Sequence, residues 1–111
     1  MIDFDSQKVN ILGTLYLICQ DDTLKERERD GECDTYKKEI HLRAFDDMLD
    51  ATDDAEAKEM RYKEVFLHEC VHALFWESGA DDYCDDEKLV ILLERQLPKL
   101  YKTLVAMGVL E

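Results

Sequence analysis

The apolar residues of this chain change period partway along, and that change decides the fold class. Up to about residue 44 they lie in short runs rich in Val, Ile, Leu and Tyr, whereas from about residue 53 they recur every three or four positions. Strands first and helices after describe an α+β domain: a small antiparallel sheet, then a long helix, then a second packed C-terminal helix. A chain of 111 residues has room for one core, so residues 1–111 read as a single domain.

Lys8 to Cys19, KVNILGTLYLIC, reads as one strand bent at Gly13. The polar run QDDTLKERERDGECD reads as a solvated surface excursion. Asp30-Gly31 signals a turn, and Thr35 to Ala44, TYKKEIHLRA, reads as a second strand antiparallel to the first. It places Tyr36, Lys38, Ile40, Leu42 and Ala44 on one face and His41 on the other. Phe45 to Thr52 is a connector. Asp53 and Glu56 have capping-box spacing, which starts a helix that runs to about Ser78 and stops at Gly79. DDYCDD is a short acidic link, after which Asp85 can cap a last helix carrying Leu89, Val90, Leu92, Leu93, Leu97, Leu100, Leu104 and Val105. Pro98 should kink or break that helix.

The motif that bears on chemistry is HECVH, residues 68 to 72, in the middle of the long helix. Residues i and i+4 of a helix lie one above the other, so His68 and His72 can present two imidazole nitrogens to one ion. Glu69 is turned by about 100° from His68, towards a water on that ion and not towards the ion itself. Zinc suits such nitrogen donors, and a catalytic site takes three protein ligands and leaves a fourth position to water. In that reading Glu69 is the general base of amide hydrolysis by a metal-activated water. The apolar context VFLHECVHALFW buries both histidines, and a metal would satisfy them; the alternative is an ordinary core pair bonded to backbone or carboxylates.

A third ligand has to come from elsewhere. The extended motif HExxHxxGxxH is excluded, because Phe75 stands in place of its glycine and Ser78 in place of its last histidine. Glu77 lies about 180° round the helix from His68 and faces away. Glu87 opens the last helix after a short link that swings it back onto the metal face, and Glu94, two turns on, shares that face. The short link favours Glu87, so the expected zinc ligands are His68, His72 and Glu87. The ordinary role for Glu87 would be to favour the helix N-terminus. His41 reads as a solvent-facing strand residue, and Cys70 as core packing.

Apolar residues make up 46% and charged residues 37%, the balance of a folded domain with a solvated exterior. With 14 basic and 27 acidic residues the net charge is -13, which disfavours nucleic acid or an anionic membrane as a partner. No stretch approaches the ~20 apolar residues of a membrane span, and MIDFDSQK lacks the features of a signal peptide, so a cytoplasmic location is expected. Cys19, Cys33, Cys70 and Cys84 then read as reduced thiols; no CxxC pairs them into a structural zinc site, and nothing in their spacing supports Cys33 or Cys84 as a ligand. The expected partner is a peptide or protein substrate, with the oligomeric state open and a monomer allowed. The same charge supports a second function class, an acidic interaction protein that mimics nucleic acid and keeps a metal for structure.

The ordered segments ILGTLYLI, DGECDTYKKEIHL, VFLHECVHALFWESG and DDEKLVILLERQL resemble the small HExxH zinc proteins of phages and mobile elements related to the ImmA/IrrE metallopeptidases, minimal gluzincin-like domains. The resemblance spans about residues 8 to 100, and its most specific part is the HECVH helix. It implies a zinc peptidase with His68 and His72 as ligands, Glu69 as catalyst and a glutamate of the next helix as third ligand, acting on a phage or mobile-element regulatory protein. The chain departs from the family after that glutamate, where KLVILLERQL replaces an EAN-type segment of small residues.

Overall fold

The computed structural model describes residues 2–48 and 54–110. Four strands, β1 (Lys8–Ile11), β2 (Thr14–Gln20), β3 (Gly31–Asp34) and β4 (Glu39–Leu42), form one sheet in the order β1-β2-β4-β3. A one-turn helix α1 (Thr23–Glu26) links β2 to β3, and a 3₁₀ turn follows β4 at Phe45–Asp47. The long helix α2 (Ala55–Glu77) then lies across one face of the sheet, followed by the single turn α3 (Asp81–Cys84) and by α4 (Glu87–Ala106). The α+β class expected from the apolar periods is the observed one.

Strand directions differ from the expectation. The sheet is mixed, because β2 and β4 pair in parallel, Ile18 opposite Ile40, while β1–β2 and β3–β4 are antiparallel. The segment read as one bent strand is a hairpin: Leu12 and Gly13 both have positive φ (52° and 95°), which turns the chain back instead of bending it. The segment read as a strand from Thr35 begins instead with a turn, since the Asp34 carboxylate accepts from the backbone N–H of Tyr36 (3.1 Å) and Lys37 (2.9 Å). Asp30-Gly31 does not make the turn; it leads into β3. That extra strand reverses the chain once more, and β4 therefore runs alongside β2 in the same direction.

Alternation along the strands sends Tyr16, Ile18, Ile40 and Leu42 to the helix-facing side, where they are buried with Tyr62, Val65 and Ala73 of α2. Asp54 caps α2 by accepting from Glu56 N–H (2.9 Å), while Asp53, the cap expected from sequence, lies outside the described residues. At the other end Ala80 N–H bonds Phe75 C=O and Gly79 N–H bonds Trp76 C=O, with Gly79 at φ 82°. These two bonds close a Schellman turn at the expected stop. Asp86, not Asp85, caps α4 through Leu89 N–H (3.1 Å). The helix continues through Pro98 unbroken, and the backbone there is exposed, so water can take the carbonyl that proline leaves free.

The C-terminal end of α2 is tied to the sheet by Glu77. Its carboxylate accepts from Thr14 Oγ1 (2.9 Å), from the Tyr16 hydroxyl (2.6 Å) and from the Lys38 ammonium (2.6 Å). Lys38 first, then the Tyr16 hydroxyl, holds the carboxyl down to about 2. A carboxyl depressed in the folded state contributes stability above its unfolded value and loses that contribution as pH falls through the folded one. Glu77→Gln is therefore expected to lower stability at pH 7 by roughly 1–2 kcal/mol. In urea titrations the gap to wild type should close as pH falls from about 4.5 towards 2; a gap independent of pH would refute the assignment.

Candidate metal centre

Three residues of α2 reach the cleft between β3 and α4. His68 is half-buried, Glu69 is 7% exposed and His72 is 9% exposed. The helix brings His68 Nε2 and His72 Nε2 to 3.2 Å of each other. The first turn of α4 sets Glu87 against both, Oε1 at 2.9 Å from His72 Nε2 and Oε2 at 3.1 Å from His68 Nε2. His68, His72 and Glu87 thus form a triangle drawn from two helices, whose carboxylate corner meets each ring nitrogen with a different oxygen.

What aims the rings is the opposite nitrogen of each. His68 Nδ1 meets Glu94 Oε1 at 3.0 Å, and His72 Nδ1 donates to the backbone carbonyl of Cys84. A carbonyl can only accept, so the Nδ1 of His72 carries its proton and the Nε2 of the neutral ring is a lone pair. Glu94 imposes the same tautomer on His68. With both rings neutral, two lone pairs and the Glu87 carboxylate then face one another, an arrangement that repels itself until a cation occupies the centre or the imidazoles are protonated. Tetrahedral zinc with ligands at about 2.0–2.1 Å sets neighbouring donor atoms about 3.3 Å apart, close to the 3.2 Å between the two ring nitrogens and to the 2.9 and 3.1 Å from each to its own Glu87 oxygen, so the residues present fit the ion.

Glu69 sits beside this triangle. Burial, then the negative charge of Glu87, pushes its carboxyl up to about 8; a positive charge at the triangle opposes both causes. Its carboxylate takes no hydrogen bond from the described residues. The start of β3 presses against it: a Cβ on Gly31 would lie 3.0 Å from Glu69 Oε2 and 2.7 Å from Val65 Cγ1. Gly31 is thus the residue that lets the strand approach the carboxylate.

The cleft has two hollows of about 410 Å³ each, which meet at Glu69, His72 and Glu87. One is lined by Arg61, Glu64, Ile91 and Arg95, the other by Cys33, Thr35, Tyr36 and Trp76. The wall they share is β3, an edge strand, whereas β4 is paired on both sides.

The sequence-derived residues His68, His72 and Glu87 come together, and Glu94 contacts a ring from behind. Cys84 has a role that sequence did not suggest: its thiol donates to His72 C=O (3.3 Å) and its carbonyl orients the His72 ring. His72, Cys84 and Asp85 also lie within ligand distance, but burial raises the Cys84 thiol and works against a thiolate there. Glu77 faces the sheet, as expected. His41 is half-buried on the outer face of the sheet, Nδ1 on Asp21 (2.7 Å) and Nε2 on Glu39 (2.9 Å). Burial works against its charge, but the two carboxylates outweigh it and raise its pKa. Cys19 lies close to Glu39 and His41, yet both nitrogens of that ring already have partners.

No protein-family model, curated protein or solved structure matches the chain. The close approach at Gly31 makes a direct expectation. Gly31→Ala should destabilise the fold by about 1–3 kcal/mol, through displacement of Val65 and Glu69. Unchanged urea midpoints would show that the strand and helix are further apart than described.

Proposed function

We propose that the chain is a zinc-dependent peptidase whose ion is held by His68, His72 and Glu87 and whose general base is Glu69. The observation that carries this reading is the meeting of His68, His72 and Glu87, each ring fixed from behind, next to a buried carboxylate that takes no hydrogen bond from the described residues. A structural site needs the three donors but has no use for Glu69, which costs stability where it lies. Bound there, zinc supplies Lewis-acid polarisation of the scissile carbonyl and a more acidic water.

The chain's own residues supply the rest. Glu69 accepts the proton of the attacking water and delivers it to the leaving amine. Glu94 and the Cys84 carbonyl keep both imidazoles in the ligating tautomer, so the donors need no reorganisation. The free side of β3 offers main-chain hydrogen bonds to an extended peptide, which would run past Glu69 from one hollow to the other. The resemblance to the ImmA/IrrE-related peptidases extends the proposal to a regulatory protein of a phage or mobile element as substrate. No described helix is long and apolar enough to cross a membrane. The four free thiols support a reducing compartment, and the proposed setting is the cytoplasm.

Purified protein should bind about one zinc per chain, and His72→Ala should lose it. Glu69→Gln should keep the zinc and lose cleavage of a quenched peptide library; zinc-replete protein in which wild type and Glu69→Gln cleave equally would rule out the mechanism. The two acids of α4 are separable by metal titration. Glu94→Gln should weaken zinc by about 10–100-fold, the usual cost of removing an outer partner, and Glu87→Ala by more than that. The reverse order would make Glu94 the ligand.

A further inference from the structure

We propose that the C-terminal half of α4 is a self-association element, pairing antiparallel with the same segment of a second copy. Along α4 and its C-cap the apolar residues Val90, Leu93, Leu97, Leu100, Leu104 and Met107 are spaced three, four, three, four, three. That is the a/d seam of a two-helix coiled coil. Its first two members are spent within the domain: Val90 is fully buried and Leu93 half-buried. The remaining four leave the body on the same stripe. From Arg95 to Leu110 every residue except Leu104 is exposed, with Leu100 at 53% and Met107 at 71%.

The pattern of charge selects the occupant. On that seam Arg95, Lys99 and Lys102 fall at the outward c and f positions, and Pro98 at outward b. The flanking e and g positions beyond Glu94 are Gln96, Tyr101, Thr103, Gly108 and Leu110, all uncharged. No charge beside the seam demands an oppositely charged partner, and none repels an identical helix. Direction follows from the rest of the chain. Residues 95–110 contain three basic residues and no acid in a protein of net charge -13. A parallel pair would bring two acidic bodies together, whereas an antiparallel overlap holds them at opposite ends and carries each basic tail towards the other body. The overlap that covers the free stripe sets Leu97 opposite Met107 of the second copy and Leu100 opposite Leu104.

The seam is short, so association belongs to the weak range, and sedimentation should be followed from about 1 µM to 1 mM. The expected result for the full chain is a shift with concentration from the mass of one chain towards twice that mass. Leu100→Glu and Leu104→Lys, both on a free helix end, should each hold the protein at monomer mass with its circular dichroism unchanged. The double variant L100E/L104K sets Glu opposite Lys at both crossings of an antiparallel pair and like against like in a parallel one, so at low salt it should dimerise again. Wild type that stays monomeric across the range, as it would if another protein covers this face, overturns the proposal. So does a double variant that stays apart.

Discussion

The structure depends on keeping polar side chains buried in the middle of its central helix. α2 is the element against which the sheet packs on one side and α4 on the other, yet it carries His68, Glu69 and His72 at the point of contact. Leaving such groups without partners costs on the order of 1–3 kcal/mol each, a large part of the margin by which a domain of this size is folded. The chain answers with placed acceptors, Glu94 for one ring and the Cys84 carbonyl for the other. Those two bonds decide the tautomers, and the tautomers decide that the inner nitrogens are lone pairs. In the proposed zinc site, affinity for the ion would thus be set by the outer partners as much as by the histidines.

Those partners are delivered by the return of the chain after α2. The Schellman turn at Gly79 reverses direction within a few residues, α3 is one turn long, and Asp86 starts α4 at once. α3 contributes a carbonyl, the first turn of α4 a carboxylate across both Nε2 atoms, and a residue two turns later the acid behind His68. Glu87 and Glu94 are seven apart and so share a face, which is why one helix can supply both an inner donor and an outer one. On the opposite wall Gly31 lets β3 come close enough to bury Glu69.

The parts legible in the sequence are those that a short local rule determines. The spacing of His68 and His72 needs one helix and no tertiary knowledge. The stop at Gly79 and the short link made Glu87 a nearer donor than Glu94. β3 carries no strand signal because GECD has no β-branched or aromatic residue; its strand state comes from pairing with β4 and from the approach to α2. The β1–β2 hairpin was hidden because its turn pairs glycine with Leu12, a residue that gains nothing from positive φ. The parallel pairing of β2 and β4 depends on how the excursion between them folds, which is a tertiary matter. A backbone carbonyl such as that of Cys84 leaves no trace in residue identity at all.

α4 joins two tasks on one rigid rod. Its first turns hold Glu87 and Glu94 at the site, and its grip on the body is confined to the stretch from Leu89 to Glu94, where Val90 is fully buried and Leu89, Ile91, Leu93 and Glu94 are half-buried. Glu87 is itself 60% exposed in its side chain, so the triangle of donors is only as well fixed as the helix that bears it. A lever of this kind, lightly seated near its start and free along its second half, transmits any load on the free end to the first turn. A partner seated on Leu97 to Met107 would therefore restrain Glu87 as well, from more than two helical turns away.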